Sequence, residues 1–231
     1  MTSDWYRCPP PDANGRCSLG IGGVDYVADA VPHARVLIAE INAQMPATAG
    51  TQPIPLGRFA ATITTDRKLP EDPSRAPDDI DRQIASCIAE LIDDGDTLQL
   101  GVGSLGAAVL DALTGHRDLG FHTGMITDGL MRLVDQGVAT GRHKELDAGM
   151  VVAGTALGSS HLYKSIPELP VRFLPTSYTH SPPRCFLNCR PWSRSTSPLR
   201  STSPGRSVPR SAVASTSARS AARSTSPEPP H

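Results

Sequence analysis

Aromatic residues occupy only 4% of the 231 positions, so any hydrophobic core must rest on Ala, Val, Leu and Ile. No run approaches the roughly 20 apolar residues that a membrane-spanning helix needs. The opening Met1-Thr2-Ser3-Asp4-Trp5-Tyr6-Arg7 lacks the apolar stretch of a secretory signal, and a cytoplasmic chain is expected. The five cysteines, at 8, 17, 87, 185 and 189, form no C-x-x-C pair, and no His pair follows at finger spacing. A metal site is therefore not expected, and free thiols in a reducing compartment are. Net charge is −1, which argues neither for nor against nucleic acid. That average hides an asymmetry: residues 1–180 carry 14 Lys+Arg against 22 Asp+Glu, whereas 181–231 carry 8 Arg against Glu228 alone. Two unlike segments are implied.

Proline and glycine are plentiful and punctuate the chain. Pro9-Pro10-Pro11-Asp12 and Asn14-Gly15 are turn chemistry, and the 17–23 stretch is small and glycine-rich. Residues 24–31 read as a short helix stopped by Pro32. Arg35-Val36-Leu37-Ile38-Ala39-Glu40-Ile41 reads as a buried strand. A long Pro/Thr/Gly-rich connection follows over 46–77, with one strand at 59–64. Ile80, Ile84, Ile88 and Leu91 recur at three- and four-residue steps, giving a helix with one apolar face. Asp78 and Asp79 suit its start, and Gly95 its C-terminal stop. Strands are then expected at 97–102, 119–123, 151–154 and 171–174. Between them lie a helix from Ser104, as cap, to about Leu113, and one capped by Thr127 or Asp128 and ended by Gly137. The alternation predicts an α/β fold with open, mostly parallel sheets and flanking helices.

Residues 181–231 hold 13 Ser, 9 Pro and 8 Arg without apolar periodicity, and Arg-Ser-Thr-Ser-Pro occurs three times. Such a segment cannot offset its chain entropy by burial, so disorder is expected. The predicted organisation is 1–70 and 71–180 as two partial α/β domains, with 181–231 as a tail.

Gly101-Val102-Gly103-Ser104-Leu105-Gly106 has the pattern G-x-G-x-x-G between a strand and a helix. Glycines allow close backbone approach, and free amides at a helix start attract anions, so a phosphate or pyrophosphate ligand is one reading. A tight turn without a ligand is the other. A dinucleotide fold needs an acid at the end of the next strand, about 20 residues on, to hold the ribose. Gly124 and Met125 follow that strand instead, which weakens a nicotinamide reading. Coenzyme A carries a pyrophosphate and makes no such demand.

Leu98-Gln99-Leu100-Gly101-Val102-Gly103, followed by His122-Thr123-Gly124-Met125-Ile126-Thr127-Asp128-Gly129, resembles the acetyl-CoA hydrolase/transferase family. That family includes 4-hydroxybutyrate and butyrate–acetate CoA-transferases. Its usual pattern is L-Q-L-G-I-G, then H-[ST]-E-M-[IL]-[ST]-D-G. Pro10-Pro11-Asp12, Gly15, Cys17-Ser18-Leu19-Gly20 and Ile38-Ala39-Glu40-Ile41-Asn42-Ala43-Gln44-Met45-Pro46 match further stretches in the same order, so the resemblance covers about residues 9–180. It implies two similar open α/β domains, here incomplete at both ends, with the active site between them. It implies acyl-CoA and a carboxylate as small-molecule partners, coenzyme A as substrate, and no permanently bound cofactor. The implied chemistry begins when a glutamate attacks the thioester, giving an acyl-glutamyl anhydride and CoA thiolate. The thiolate then attacks the anhydride to give a glutamyl-CoA thioester, which a second carboxylate resolves. Gly101, Val102, Gly103, Ser104 and Leu105 would cradle part of CoA.

The chain departs from the pattern at its centre, where Gly124 stands at the glutamate position and supplies no nucleophile. Glu40 and Asn42 match family positions and either contact substrate or end a strand. His122 either packs at a strand end or acts as a base. Asp128 reads as a helix N-cap. An acyl-CoA hydrolase or a non-catalytic CoA-binding remnant is therefore the alternative to a transferase. Residues 200–210 also equal a family-like Glu-Val-Asp-Leu-Thr-Gly-Gln-Val-Gly-Ala-Glu written in G/C-rich codons and read one base later, which implies a frame shift near 181–184. A basic tail that binds nucleic acid is the competing, less favoured reading. Missing strands would expose core and promote self-association or instability.

Overall fold

The computed structural model describes residues 3–23, 25–72 and 75–175. The expected tail at 181–231 lies outside them. In chain order the elements are β1 (Ser3–Cys8), β2 (Arg16–Cys17), α1 (Gly20–Gly23), α2 (Asp25–Ala30), β3 (Val36–Asn42), β4 (Ile54–Pro55) and β5 (Ala61–Thr65). They continue as α3 (Asp79–Ala89), β6 (Thr97–Leu98), α4 (Ser104–Ala112), β7 (Gly120–Ile126), α5 (Asp128–Asp135), β8 (Val151–Ala156), α6 (Ser160–Ser165) and β9 (Val171–Phe173).

Two parallel sheets result. One has the order β1-β3-β5 and the other β6-β7-β8-β9, while β2 and β4 form a small antiparallel pair. This is the expected α/β architecture. Parallel strands require crossovers, and α4, α5 and α6 supply them in turn along the second sheet. Its strands are apolar on both faces, as a covered parallel sheet demands: Phe121, Ile126, Val152, Ala153 and Phe173 are all buried. Leu37, Ala39 and Cys8 fill the covered face of the first sheet. Backbone and side-chain bonds join the two halves. Thr155 Oγ1 donates to Ile21 O at 2.5 Å, Phe173 N to Ala49 O at 2.8 Å, and Tyr163 OH to Pro70 O at 2.7 Å.

Several local readings are corrected. The strand expected over 97–102 pairs only at Thr97 and Leu98, because the chain then leaves the sheet for the glycine turn. Ser104 does not cap α4. Gly103 holds the N-cap with φ +114° and ψ −178°, and no side chain caps the helix. Asp128 does not cap α5 either: Thr127 is the N-cap, and Asp128 lies in the first turn with its carboxylate turned to Ser159. α3 begins on a capping box between Asp78 and Asp81 and ends at Ala89, so Gly95 belongs to the turn before β6 rather than to the helix end. The apolar stripe of α3 is there, yet Ile80 is 68% and Ile84 42% exposed and Ala85 is its buried residue, while Leu91 falls beyond the helix end and is 55% exposed. Among the described residues no helix is long and apolar enough to cross a membrane.

Candidate coenzyme-binding site

Gly101 and Gly103 give the turn after β6 its openness. A Cβ built on either meets nothing within 4 Å, and Val102 is 63% exposed. Gly103 needs to be glycine on backbone grounds, since φ +114° is a region L side chains rarely adopt. Gly106 serves a different purpose. A Cβ there would lie 2.3 Å from the Gly101 carbonyl oxygen, so the first turn of α4 can sit against the loop only without one.

The uncapped start of α4 is the central chemical feature. The first amides of a helix have no intrahelical acceptor, and the helix dipole adds partial positive charge there. With no side-chain oxygen on them, those N–H groups are open to an anion. Ser104 and Leu105 are both half-buried in that first turn. The hollow beside the turn is walled by Leu100, Gly101 and Val102 from the loop and by Phe121, Thr123 and Met125 from β7. Thr123 Oγ1 donates to Leu100 O at 3.0 Å, which pins the loop to β7 where the strand ladder has ended. The site thus lies outside the carboxyl ends of neighbouring parallel strands, the usual ligand edge of such sheets.

Gly124 sits between Thr123 and Met125 on β7 and is half-buried. The two-residue repeat of a strand sets position 124 on the side of His122 and Ile126, opposite the face that lines the hollow. His122 is half-buried beside Val152. One turn further, the Asp128 carboxylate accepts from Ser159 N at 2.7 Å and from Ser159 Oγ at 2.5 Å, clasping the start of α5 to the start of α6. Gly158 makes room, since a Cβ there would stand 2.3 Å from Asp128 Oδ2.

Glu40 and Asn42 belong to the other sheet. Glu40 is 2% exposed, and its carboxylate accepts from Arg67 through both Nε and Nη2 and from Thr65 Oγ1 at 2.8 Å. Arg7 Nε lies 3.1 Å from the same carboxylate. The Arg67 bonds first, then Thr65 and Arg7, hold its pKa down at about 2. Asn42 is fully buried. Its Nδ2 donates to Arg67 O at 2.9 Å, and its Oδ1 accepts from Gln44 N at 2.9 Å, so it shapes the turn after β3. Sequence reading passed over Arg7 and Arg67; only the carboxylate at a buried strand position signalled that cations must be near. Burial pushes the Cys8 thiol up to about 12 and raises that of Cys17 as well, so both stay protonated and neither is an activated nucleophile. No cluster of three or more His, Cys, Asp or Glu among the described residues is arranged to hold a metal.

The Glu40 pairing carries a pH prediction. Its folded pKa lies below the ordinary carboxylate value of roughly 4.3, so its stabilisation is present above that value and is lost as pH falls toward about 2. Urea melts between pH 6 and pH 2.5 should show Glu40→Gln less stable than the parent at pH 6, with the gap narrowing on acidification. A gap independent of pH would refute the ion-pair account.

No family model matches the chain. Among curated proteins, it is 35% identical to 4-hydroxybutyrate coenzyme A transferase of Clostridium kluyveri over 173 residues, which is 74% of this chain and 40% of that protein. It is 34% identical to succinyl-CoA:acetate/propanoyl-CoA:succinate CoA transferase of Fasciola hepatica over 184 residues, 79% of this chain and 38% of that one. Among solved structures, 4-hydroxybutyrate CoA-transferase from Porphyromonas gingivalis superposes with a TM-score of 0.73 at 36% identity, over 78% of this chain and 46% of that one. RipA from Yersinia pestis gives 0.74 at 32% identity, covering 78% and 42%. The chain spans about two-fifths of the length of the curated relatives it matches.

Proposed function

We propose, from the premise that this chain is a homologue of CoA-transferases over about three-quarters of its length, that it handles coenzyme A thioesters at the turn preceding α4. The activity it would serve is acyl-CoA:carboxylate CoA transfer of the acetate or 4-hydroxybutyrate type. The observation that carries the reading is the uncapped, unobstructed helix start at Gly103, on a loop whose sequence matches the family pattern. Backbone amides of Gly103, Ser104 and Leu105 would receive phosphate oxygens of CoA. Coenzyme A enters as a substrate, so no resident cofactor is invoked. A carboxylic acid is the second small-molecule partner.

Gly124 favours a second reading, in which this chain binds acyl-CoA without forming a glutamyl thioester at that position. Asp128 is a poor substitute, because Ser159 already occupies both its oxygens. Glu40 is equally committed, with Arg67, Thr65 and Arg7 around it, so its role in this proposal is to hold β1, β3 and β5 in place. Asn42 shapes the turn beside it. His122 lies on the same pleat as Gly124, on the face of β7 opposite the hollow, so a substrate contact by His122 would have to come from that face.

The division near residue 70 into two partial domains is kept as part of the proposal, with one parallel sheet on each side of it. Self-association would bring together the exposed Ile80 and Ile84 of α3 and Leu91 just beyond its end. A cytoplasmic setting suits the free thiols of Cys8, Cys17 and Cys87.

The two readings separate in one experiment. The chain is incubated with acetyl-CoA and 4-hydroxybutyrate, CoA exchange is followed, and enzyme-bound thioester is trapped with hydroxylamine. Exchange with a trapped adduct supports transfer. CoA binding without exchange supports the binding-only reading, and absence of CoA binding overturns both.

A further inference from the structure

A second concavity lies away from the glycine turn. A cleft of about 530 Å³ opens between the 19–32 and 50–58 segments, within the range of roughly 300–1,000 Å³ typical of small-molecule sites. Leu19, Ala28, Val31 and Ile54 give it apolar walls, and four prolines among its lining residues restrict the backbone around it. It shares no residue with the hollow at the glycine turn.

Three polar side chains, Thr51, Gln52 and Arg58, break the apolar lining. Arg58 borders the cleft and is solvent-exposed, and its Nη2 donates to Ala34 O at 2.7 Å. That bond fixes the guanidinium at the rim, and a guanidinium has further N–H donors to offer an anion. Thr51 also lines the cleft, and its buried Oγ1 has no hydrogen-bond partner.

We propose that this cleft binds an amphiphilic monoanion: an aliphatic body held by Leu19, Ala28, Val31 and Ile54, and a single anionic head paired with Arg58. The inference stands on the cleft alone and does not depend on CoA binding at the turn. A fatty carboxylate and an alkyl sulfate share this chemistry, and the experiment tells them apart.

The full chain is titrated calorimetrically with octanoate, octyl sulfate and octanol. Both anions, or one of them, should bind saturably, and the stronger identifies the preferred head. Arg58→Gln should weaken the anions about tenfold and leave octanol unchanged, since a charge-assisted pair is worth somewhat over 1 kcal/mol. Ala28→Trp, which fills the cleft, should abolish binding. No saturable binding of either anion, octanol binding as well as the anions, or indifference to Ala28→Trp would overturn the proposal. Should Ala28→Trp fail to fold, a diazirine-bearing alkyl carboxylate is photo-crosslinked to the parent chain and the adducts mapped. Adducts in 19–32 and 50–58 support the cleft, and adducts confined to other segments overturn it.

Discussion

Gly50→Ala is expected to destabilise the chain by about 3 kcal/mol or more, enough to remove much of the stability of a typical domain. Two independent costs combine. Gly50 has φ +122°, which L side chains rarely adopt. A Cβ there would also stand 2.1 Å from Phe173 O and 2.8 Å from Phe173 N, and backbone atoms of a strand cannot swing aside as a flexible side chain can. The contact matters beyond its own locality, because Phe173 N donates to Ala49 O at 2.8 Å and so ties the segment after β3 to β9. Displacing Phe173 disturbs a ring that is 1% exposed in a core with few aromatics. Gly57→Ala is the control, with nothing within 4 Å of its added Cβ and no positive φ. It should change stability by about 1 kcal/mol at most. Urea unfolding measures both, and equal midpoints for the two variants would contradict this account of the join.

At the glycine turn, Gly106→Ala should cost CoA affinity at least about tenfold together with some stability, because its methyl would press on Gly101 O from 2.3 Å and force the loop off the start of α4. That result alone would not separate ligand binding from folding. Gly101→Ala separates them. Its added Cβ meets no neighbour within 4 Å, so stability should stay within about 0.5 kcal/mol of the parent. The methyl nevertheless enters the space a phosphate would fill, so CoA affinity should fall about tenfold as well. If Gly101→Ala binds CoA as the parent does, the ligand does not approach the backbone there. Gly106 is glycine for packing, and on the proposed reading Gly101 would be glycine for access.

Much of the fold was legible because its signals are local. The apolar run around Leu37, the periodicity of Ile80, Ile84 and Ile88, and the glycines near Gly103 and Gly137 each report on the few residues beside them. The element order follows from them, and with it the parallel sheets. Ser3–Cys8 went unread as a strand because Trp5, Tyr6 and Arg7 show no clear alternation, and its pairing with β3 is a contact across more than thirty positions. The two-residue strands at Arg16–Cys17 and Ile54–Pro55 are too short to leave a pattern. The partners of Glu40 were hidden for the same reason. Register alone sets Arg7 opposite Glu40, and Arg67 arrives from beyond β5. Asp128 shows how a local rule can mislead: its type and position suit a cap, but Ser159, 31 residues away, claims the carboxylate. The mistaken cap at Ser104 has the opposite consequence, since leaving α4 uncapped makes its first amides available.

The most direct test watches those amides. In a titration of the 15N-labelled chain with CoA, the resonances of Gly103, Ser104 and Leu105 should shift saturably, and pantetheine, which has no phosphates, should leave them in place. CoA binding that leaves these three amides unmoved, or an equal response to pantetheine, would contradict the assignment of the α4 start as the phosphate site.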